Sequence, residues 1–304
     1  MRIHQVEKGE SILNQMLIRF ISMVSGMRLP DAARIVMYHK DFYGAPMAAW
    51  THATMRGKSN WTVGEREMMA AMTAKWNACP FCVEAHGAIA SIELGDAKTN
   101  DILAEKPVAS PKLQVILPFL EKLTLYPEKI SVMDVQTIKG KGISDEEIED
   151  AIAVSSLFNI TARCANAFNF ALLTKADLKK ASKRMLTKGY VFGKTDLTKR
   201  ADHRSMAETL RQRIFEGQGV SSPSLRQAIA QRAIGGPSIE EPYDQMALLI
   251  GEASYKVTDD LVMDVIKKAG SDKAAFELMV CAAVSAGLYR WNMAVKVLNE
   301  AVNR

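Results

Sequence analysis

Two cysteines and a histidine lie close together in the segment Cys79-Pro80-Phe81-Cys82-Val83-Glu84-Ala85-His86. Pro80 is favoured at the first position of a helix and disfavours helical geometry at the residue before it, so Cys79 is predicted to be an N-cap. At about 100° per residue, Cys79, Cys82 and His86 then lie within an arc of about 60° on one helix face. The spacing therefore predicts a cluster of two thiols and one imidazole.

This cluster suits the redox chemistry of thiols. A thiolate, rather than a thiol, attacks a peroxide or a disulfide, and the N-terminus of a helix favours the anion. His86 lies one turn beyond Cys82, close enough to take its proton directly or through a water molecule. A second thiol three residues away can trap a sulfenic acid as a disulfide before it is oxidised further.

Three other interpretations of the same residues stay open from spacing alone. A zinc site needs four ligands, whereas only three cluster here and no second CxxC follows. The cysteines could also be buried by chance beside a core histidine. A thioredoxin-type motif would need a βαβ unit around it, which this sequence does not predict.

A longer pattern around the cluster resembles the signature of the alkyl hydroperoxidase D / carboxymuconolactone decarboxylase family. It consists of Glu67, eleven intervening residues, Cys79-x-x-Cys82, three more residues and His86. Further segments resemble the peroxidase-related branch of that family, and together they span roughly residues 28–172: Trp61-Thr62-Val63-Gly64-Glu65-Arg66-Glu67, Leu123-Thr124-Leu125-Tyr126-Pro127-Glu128-Lys129-Ile130, and Leu157-Phe158-Asn159 with Arg163.

The resemblance implies an all-helical fold and a hydroperoxide reductase. It implies that Cys82 attacks the peroxide, that Cys79 resolves the intermediate, and that Glu67 and His86 form the proton relay. On one continuous helix Glu67 would lie about 18 Å from Cys79 and about 120° around the axis. We therefore expect the chain to fold back near Pro80.

One position departs from the family pattern. The founding alkyl hydroperoxidase D proteins carry a histidine immediately before the second cysteine, where this chain has Phe81. The relay would lose one member, but the dithiol chemistry would not change. The decarboxylase branch lacks the cysteine pair, so the resemblance does not favour decarboxylation.

Composition agrees with a helical globular protein. Of the 304 residues, 48% are hydrophobic and 24% are charged, which excludes a disordered, collagen-like or disulfide-scaffold chain. Seventeen Met and the absence of short alternating apolar runs favour helices over strands. The longest apolar runs are shorter than the roughly 18 residues that a membrane span requires, so we expect no membrane partner.

Helix signals recur along the chain. Residues 12–24 place apolar side chains on one face of an amphipathic helix, and helices are predicted at 64–77 and from Cys79 to Gly95. Ser144-Asp145-Glu146-Glu147 is a capping box that opens a long helix.

A weak internal repeat suggests two related helical units. Lys129-Ile130-Ser131 recurs as Lys256-Val257-Thr258, and Ser144-Asp145 recurs as Ser271-Asp272, at one offset of 127 residues. We predict an N-terminal amphipathic helix at 1–27, a domain with the CxxC site at 28–174, a basic connector at 175–204, and a degenerate repeat without the CxxC at 205–304.

Charge and cysteine usage set the remaining expectations. The net charge is +5, and residues 175–204 carry ten Lys and Arg against three Asp. We interpret this stretch as a solvated connector, and without aromatic residues patterned for stacking we expect no nucleic-acid partner. Four Cys with one close pair fit a reducing cytoplasm.

The function expected from the sequence is reduction of a small hydroperoxide, with the site residues Glu67, Cys79, Cys82 and His86. We expect an external thiol or disulfide reductant, no bound cofactor or metal, and a homo-oligomer. The alternatives are a thiol–disulfide oxidoreductase with little peroxidase activity and a non-catalytic metal-binding helical protein.

Overall fold

The computed structural model describes residues 1–106, 110–190 and 197–302, and within these ranges it contains helices and no β-strand. The predicted all-α class is therefore confirmed. The helices are α1 (His4–Lys8), α2 (Ile12–Ser25), α3 (Asp31–Tyr38), α4 (Ala45–Arg56), α5 (Val63–Trp76), α6 (Pro80–Leu94), α7 (Asp96–Leu103), α8 (Pro111–Leu125), α9 (Val132–Gly140), α10 (Asp145–Phe168), α11 (Lys175–Lys188), α12 (His203–Phe215), α13 (Pro223–Arg232), α14 (Tyr243–Ala253), α15 (Asp259–Ala269) and α16 (Asp272–Val302).

Helices α5 and α6 form a tight hairpin. Thr62 caps α5 in a capping box with Glu65, which satisfies amide groups that the first turn leaves free. Cys79 is the N-cap of α6 and Pro80 its first residue. Between them Ala78 adopts a left-handed conformation with φ of 50°, so the chain reverses within three residues and α6 packs back along α5.

Helices α10 and α16 pack against each other through the centre of the molecule. The predicted capping box at the start of α10 is present, with the Ser144 side chain accepting from the Glu147 amide. Gly287 of α16 lies against Ile160 and Ser156 of α10, and a Cβ at this glycine would be 2.2 Å from Ile160 Cγ1. The two helices therefore approach each other more closely than a larger residue would allow.

The elements before these two helices recur at the offset found in the sequence. One-turn 3₁₀ helices span Pro127–Lys129 and Ser254–Lys256, and α9 and α15 follow them. Side chains of Ser131 and Thr258 cap those two helices. The structure thus repeats one local pattern twice, while the division into domains stays a prediction.

Equivalent arginines of the repeat make reciprocal contacts. Arg163 Nε donates to the carbonyl of Gly251, and Arg290 Nε donates to the carbonyl of Thr124. Both donors and both acceptors are related by the 127-residue offset. Each central helix therefore caps the C-terminal end of a helix, α14 or α8, in the other half of the chain.

Helix α11 occupies much of the predicted basic connector, of which residues 191–196 lie outside the described residues. It packs against α6 rather than standing in solvent. Its narrow apolar side includes the buried Ala181, while Lys179 and Lys183 are exposed. The stretch is thus a helix that covers part of the α5–α6 hairpin.

Two helices are notable for their apolar surface. Helix α16 is long and apolar enough to cross a membrane, but it is mostly buried inside the protein, as expected of a core helix. Helix α2 buries Ile18 alone. Ile21 is half-buried, and the other large apolar side chains of the helix are exposed: Ile12, Leu13, Met16, Leu17, Phe20, Met23 and Val24.

Candidate functional site

The hairpin brings Glu67 of α5 against His86 of α6. Glu67 Oε2 and His86 Nδ1 are 2.7 Å apart, and both side chains are buried. An ionised carboxylate can only accept, so Nδ1 is the donor in this contact. With Nδ1 as the donor, Nε2 is the proton acceptor whenever the ring is in its neutral form.

Two further side chains hold the other oxygen of Glu67. The Tyr190 hydroxyl donates to Oε1 at 2.8 Å, and Arg56 Nη2 lies 2.7 Å from the same atom. The Arg56 guanidinium also lies over the Tyr190 ring, 5.0 Å from its centre. Glu67 is therefore surrounded by donors on both oxygens.

These contacts keep Glu67 ionised although it is fully buried. Burial alone would raise the pKa of Glu67, but the hydrogen bond from His86, the charges of His86 and Arg56, and the Tyr190 hydroxyl outweigh it and lower the pKa. Burial and the neighbouring Glu67 charge raise the pKa of Tyr190 well above its ordinary value. Tyr190 thus stays protonated and acts as a donor.

The two cysteines differ in acidity and in surroundings. A hydrogen bond from the Cys82 thiol lowers the pKa of Cys79 against the effect of burial. The same bond, together with burial, raises the pKa of Cys82 well above its ordinary value. Cys82, and not Cys79, lines the cavity described next.

An apolar cavity of about 200 Å³ reaches this cluster. Cys82, His86 and Tyr190 are among the residues that line it, and Phe81 lines it as well. The Phe158 ring packs edge-on against the His86 ring, and the centres of the two rings are 4.3 Å apart. The remaining lining side chains are mostly apolar and include Leu29, Val36, Met47, Ile89, Leu173, Leu178 and Met185.

Sequence reasoning did not find Arg56 and Tyr190. Tyr190 lies 123 residues from Glu67 along the chain, in the stretch interpreted as a connector. Its backbone amide donates to His52 Nδ1 at 3.0 Å, so His52 positions the segment that carries it. Burial and the charge of Arg56 lower the pKa of His52, which keeps its ring neutral and able to accept. No residue pattern in the sequence signals this long-range contact.

The other two cysteines do not line the cavity, although Cys164 Sγ lies 3.9 Å from the hydroxyl of Tyr43, which does. Cys164 and Cys281 are fully buried, and burial raises the pKa of Cys164 to about 12. Within the described ranges no group of three His, Cys, Asp or Glu side chains is arranged to hold a metal ion.

Comparisons with known proteins find likeness in structure only. No protein-family model and no curated protein matches the chain. An uncharacterized peroxidase-related protein from a Silicibacter species aligns with 56% of this chain and 90% of its own, at 22% identity and a TM-score of 0.48. An uncharacterized peroxidase-related protein from Ralstonia eutropha, described as an alkylhydroperoxidase AhpD core, aligns with 55% of this chain and 88% of its own, at 24% identity and the same TM-score.

Proposed function

We propose that this protein reduces organic hydroperoxides through a dithiol–disulfide cycle of Cys79 and Cys82. The contact between Glu67 and His86, whose ring lines the same apolar cavity as Cys82, carries the proposal. An ionised, buried carboxylate fixes the tautomer and orientation of the imidazole. The free Nε2 is then a general base on the side of the ring away from Glu67.

In the first half of the cycle, His86 Nε2 accepts the Cys82 proton, directly or through a water molecule. The Cys82 thiolate attacks the terminal oxygen of the hydroperoxide ROOH, and the O–O bond breaks. His86 returns the proton to the departing RO⁻, which leaves as the alcohol ROH. Cys82 is then a sulfenic acid, and the peroxide has been reduced.

In the second half, the Cys79 sulfur attacks the Cys82 sulfenic acid. The S–O bond breaks, and the hydroxide leaves with the Cys79 proton as water. The pair is now a disulfide. An external dithiol restores both thiols by exchange and is itself oxidised to a disulfide.

The acidity of the pair is compatible with this division of roles. Cys79 has the lower pKa because Cys82 donates to it, yet Cys79 does not line the cavity. Access therefore favours Cys82 as the attacking group. When His86 takes the Cys82 proton, the hydrogen bond from Cys82 to Cys79 is lost. Cys79 is then free for the resolving step.

Variants in which one cysteine of the pair is replaced test the cycle. With Cys79→Ser, Cys82 should consume one equivalent of cumene hydroperoxide and remain a sulfenic acid, because no resolving thiol is present. With Cys82→Ser, even the first equivalent should react slowly. Mass spectrometry with a sulfenic-acid trap, together with titration of remaining thiols, identifies the oxidised residue.

Cys281→Ser is the matched control, since Cys281 is buried and does not line the cavity. The serine hydroxyl can keep the hydrogen bond that the thiol donates to the Arg226 carbonyl. It should leave peroxide consumption unchanged. Stable sulfenic acid on Cys79 but not on Cys82 would reverse the two roles. Disulfide exchange without any peroxide consumption by the unmodified protein would reject peroxide reduction.

A further inference from the structure

A second pocket, of about 70 Å³, lies where the two halves of the chain meet. Trp76 and Asn77 at the end of α5 line it, together with Arg163 of α10 and Arg290 of α16. The remaining lining residues are Thr124, Leu125, Glu252, Ser254 and Tyr255. None of these residues belongs to the proposed thiol site.

Both arginines are buried without an acidic partner. Arg163 is 3% exposed and Arg290 8%. Their hydrogen bonds go to neutral groups: Arg163 donates to Asn77 Oδ1, Asn159 Oδ1 and the carbonyls of Asn159 and Gly251, and Arg290 to the carbonyls of Thr124 and Ala286. Among the described residues neither forms an ion pair. Two buried positive charges therefore line one small pocket.

Burial lowers the pKa of both guanidinium groups. Burial, and after it the charge of Arg290, lowers the pKa of Arg163 well below its ordinary value. Burial lowers the pKa of Arg290 to about 10, although Tyr289 and the exposed Glu128 act in the opposite direction. Nε of each arginine caps α14 or α8, and Nη1 bonds to Asn77 and Asn159 or to the Ala286 carbonyl, so Nη2 of both makes no hydrogen bond to the described residues.

A third donor in the same pocket also lacks an acceptor. Trp76 Nε1 is buried and has no hydrogen-bond partner among the described residues. A buried indole N–H without an acceptor costs about 1–3 kcal/mol. Three residues that line the pocket thus have donor capacity that the described residues do not use, and two of the three are cationic.

We propose that this pocket binds a small oxyanion, with inorganic phosphate or sulfate as the simplest example, between Arg163, Arg290 and Trp76. Its volume of about 70 Å³ is several times the roughly 10–15 Å³ that a cavity needs to hold one water molecule, which suits such an ion. An anion would satisfy the three donors together and screen the repulsion between the arginines. Glu252 is the acidic group at the pocket and is exposed, so it lies at the rim.

Isothermal titration of sodium phosphate and sodium sulfate into the full-length protein, at constant ionic strength, tests the site. We expect saturable binding at one site per chain, with a change in Trp fluorescence from Trp76. Trp76→Phe should weaken binding about tenfold and abolish the fluorescence change, because it removes a donor to a charged acceptor. Arg290→Lys should weaken binding at least tenfold, since the guanidinium fork is lost.

Glu252→Gln should change the affinity in the opposite direction. Glu252 is exposed, so its replacement should not affect folding. It should tighten phosphate binding severalfold because it removes a negative charge at the rim. Arg213→Gln and Glu216→Gln are the matched controls, since both residues are exposed in and after α12, and neither should change the affinity. Absence of saturable binding to both the unmodified protein and Glu252→Gln, or equal binding in every variant, would overturn the proposal.

Discussion

At the scale of single residues, the site depends on how a buried carboxylate is kept charged. Glu67 receives a hydrogen bond from His86 on one oxygen and contacts from Tyr190 and Arg56 on the other. Without these partners burial would favour the protonated acid. A protonated Glu67 would no longer fix the His86 tautomer, and Nε2 would lose its role as acceptor.

Tyr190→Phe should therefore weaken the proposed relay without removing a thiol. The loss of a hydrogen bond to a charged acceptor is expected to cost about 1.5–3 kcal/mol of stability at pH 7, and to slow sulfenic-acid formation about tenfold through a less well held imidazole. Because Tyr190 helps to lower the pKa of Glu67, its contribution is present above the ordinary carboxyl pKa and is lost as the pH falls. Urea unfolding at pH 7 and near pH 3.5 should show the difference from the unmodified protein shrinking with acid.

Tyr126→Phe is the control for this change, because Tyr126 is exposed and makes no contact with the cavity. It should alter neither stability nor the rate. A stability difference for Tyr190→Phe that stays constant down to pH 3.5 would show that the hydroxyl does not act through the ionised Glu67.

How far the sequence predicts the site differs from residue to residue. Cys79, Cys82 and His86 are found by spacing, because they belong to one helix and its cap. Glu67 is found only through the family resemblance, since its contact with His86 depends on the reversal at Ala78. Arg56 and Tyr190 are not found at all, because they reach Glu67 from elements that are remote in sequence.

At the scale of elements, short-range signals predict helices well where capping is strong. The predicted helices at 64–77 and from Cys79 to Gly95 differ by a residue or two from Val63–Trp76 and Pro80–Leu94, because Thr62, Cys79-Pro80 and Gly95 mark their ends. The basic stretch is different. Its many lysines obscure the helical pattern of three apolar residues in the sequence. These residues form the narrow side of α11 that lines the cavity: Leu178, Ala181 and Met185.

The crossing of α10 and α16 gives a prediction at this scale. Gly287→Ala should destabilise the protein by about 1–3 kcal/mol, because the new methyl group would overlap Ile160 and approach the Ser156 carbonyl. Chemical denaturation measures the change in the free energy of unfolding.

Gly140→Ala is the matched control, since Gly140 ends α9 and no atom lies within 4 Å of a Cβ built there. The same substitution at that position should be neutral or should stabilise by up to about 1 kcal/mol. Equal effects at Gly140 and Gly287 would show that helix propensity, rather than close packing of α10 and α16, determines the result.

At the scale of the whole molecule, the exposed apolar face of α2 is not accounted for by packing within one chain. Its side chains Leu13 and Met23 are 78% and 73% exposed, whereas the polar Asn14 and Gln15 are partly buried. The helix thus turns its apolar face outward. We propose that a second copy of this chain covers it, in line with the homo-oligomer expected from the sequence, because one face packed on its own copy gives a closed contact.

Leu13→Gln combined with Phe20→Gln should then shift the protein towards the monomer. Each buried apolar side chain of this size contributes about 1.5–3 kcal/mol, and a two-fold contact buries each of them twice, so the dissociation constant should rise at least a hundredfold. Sedimentation equilibrium measures it over a range of concentrations. Met133→Gln with Met263→Gln removes two other exposed apolar side chains, from α9 and α15, and should leave assembly intact. An unmodified protein that is monomeric at all concentrations, or a variant that assembles as before, would contradict the role of α2, because no other copy would then be covering its apolar face.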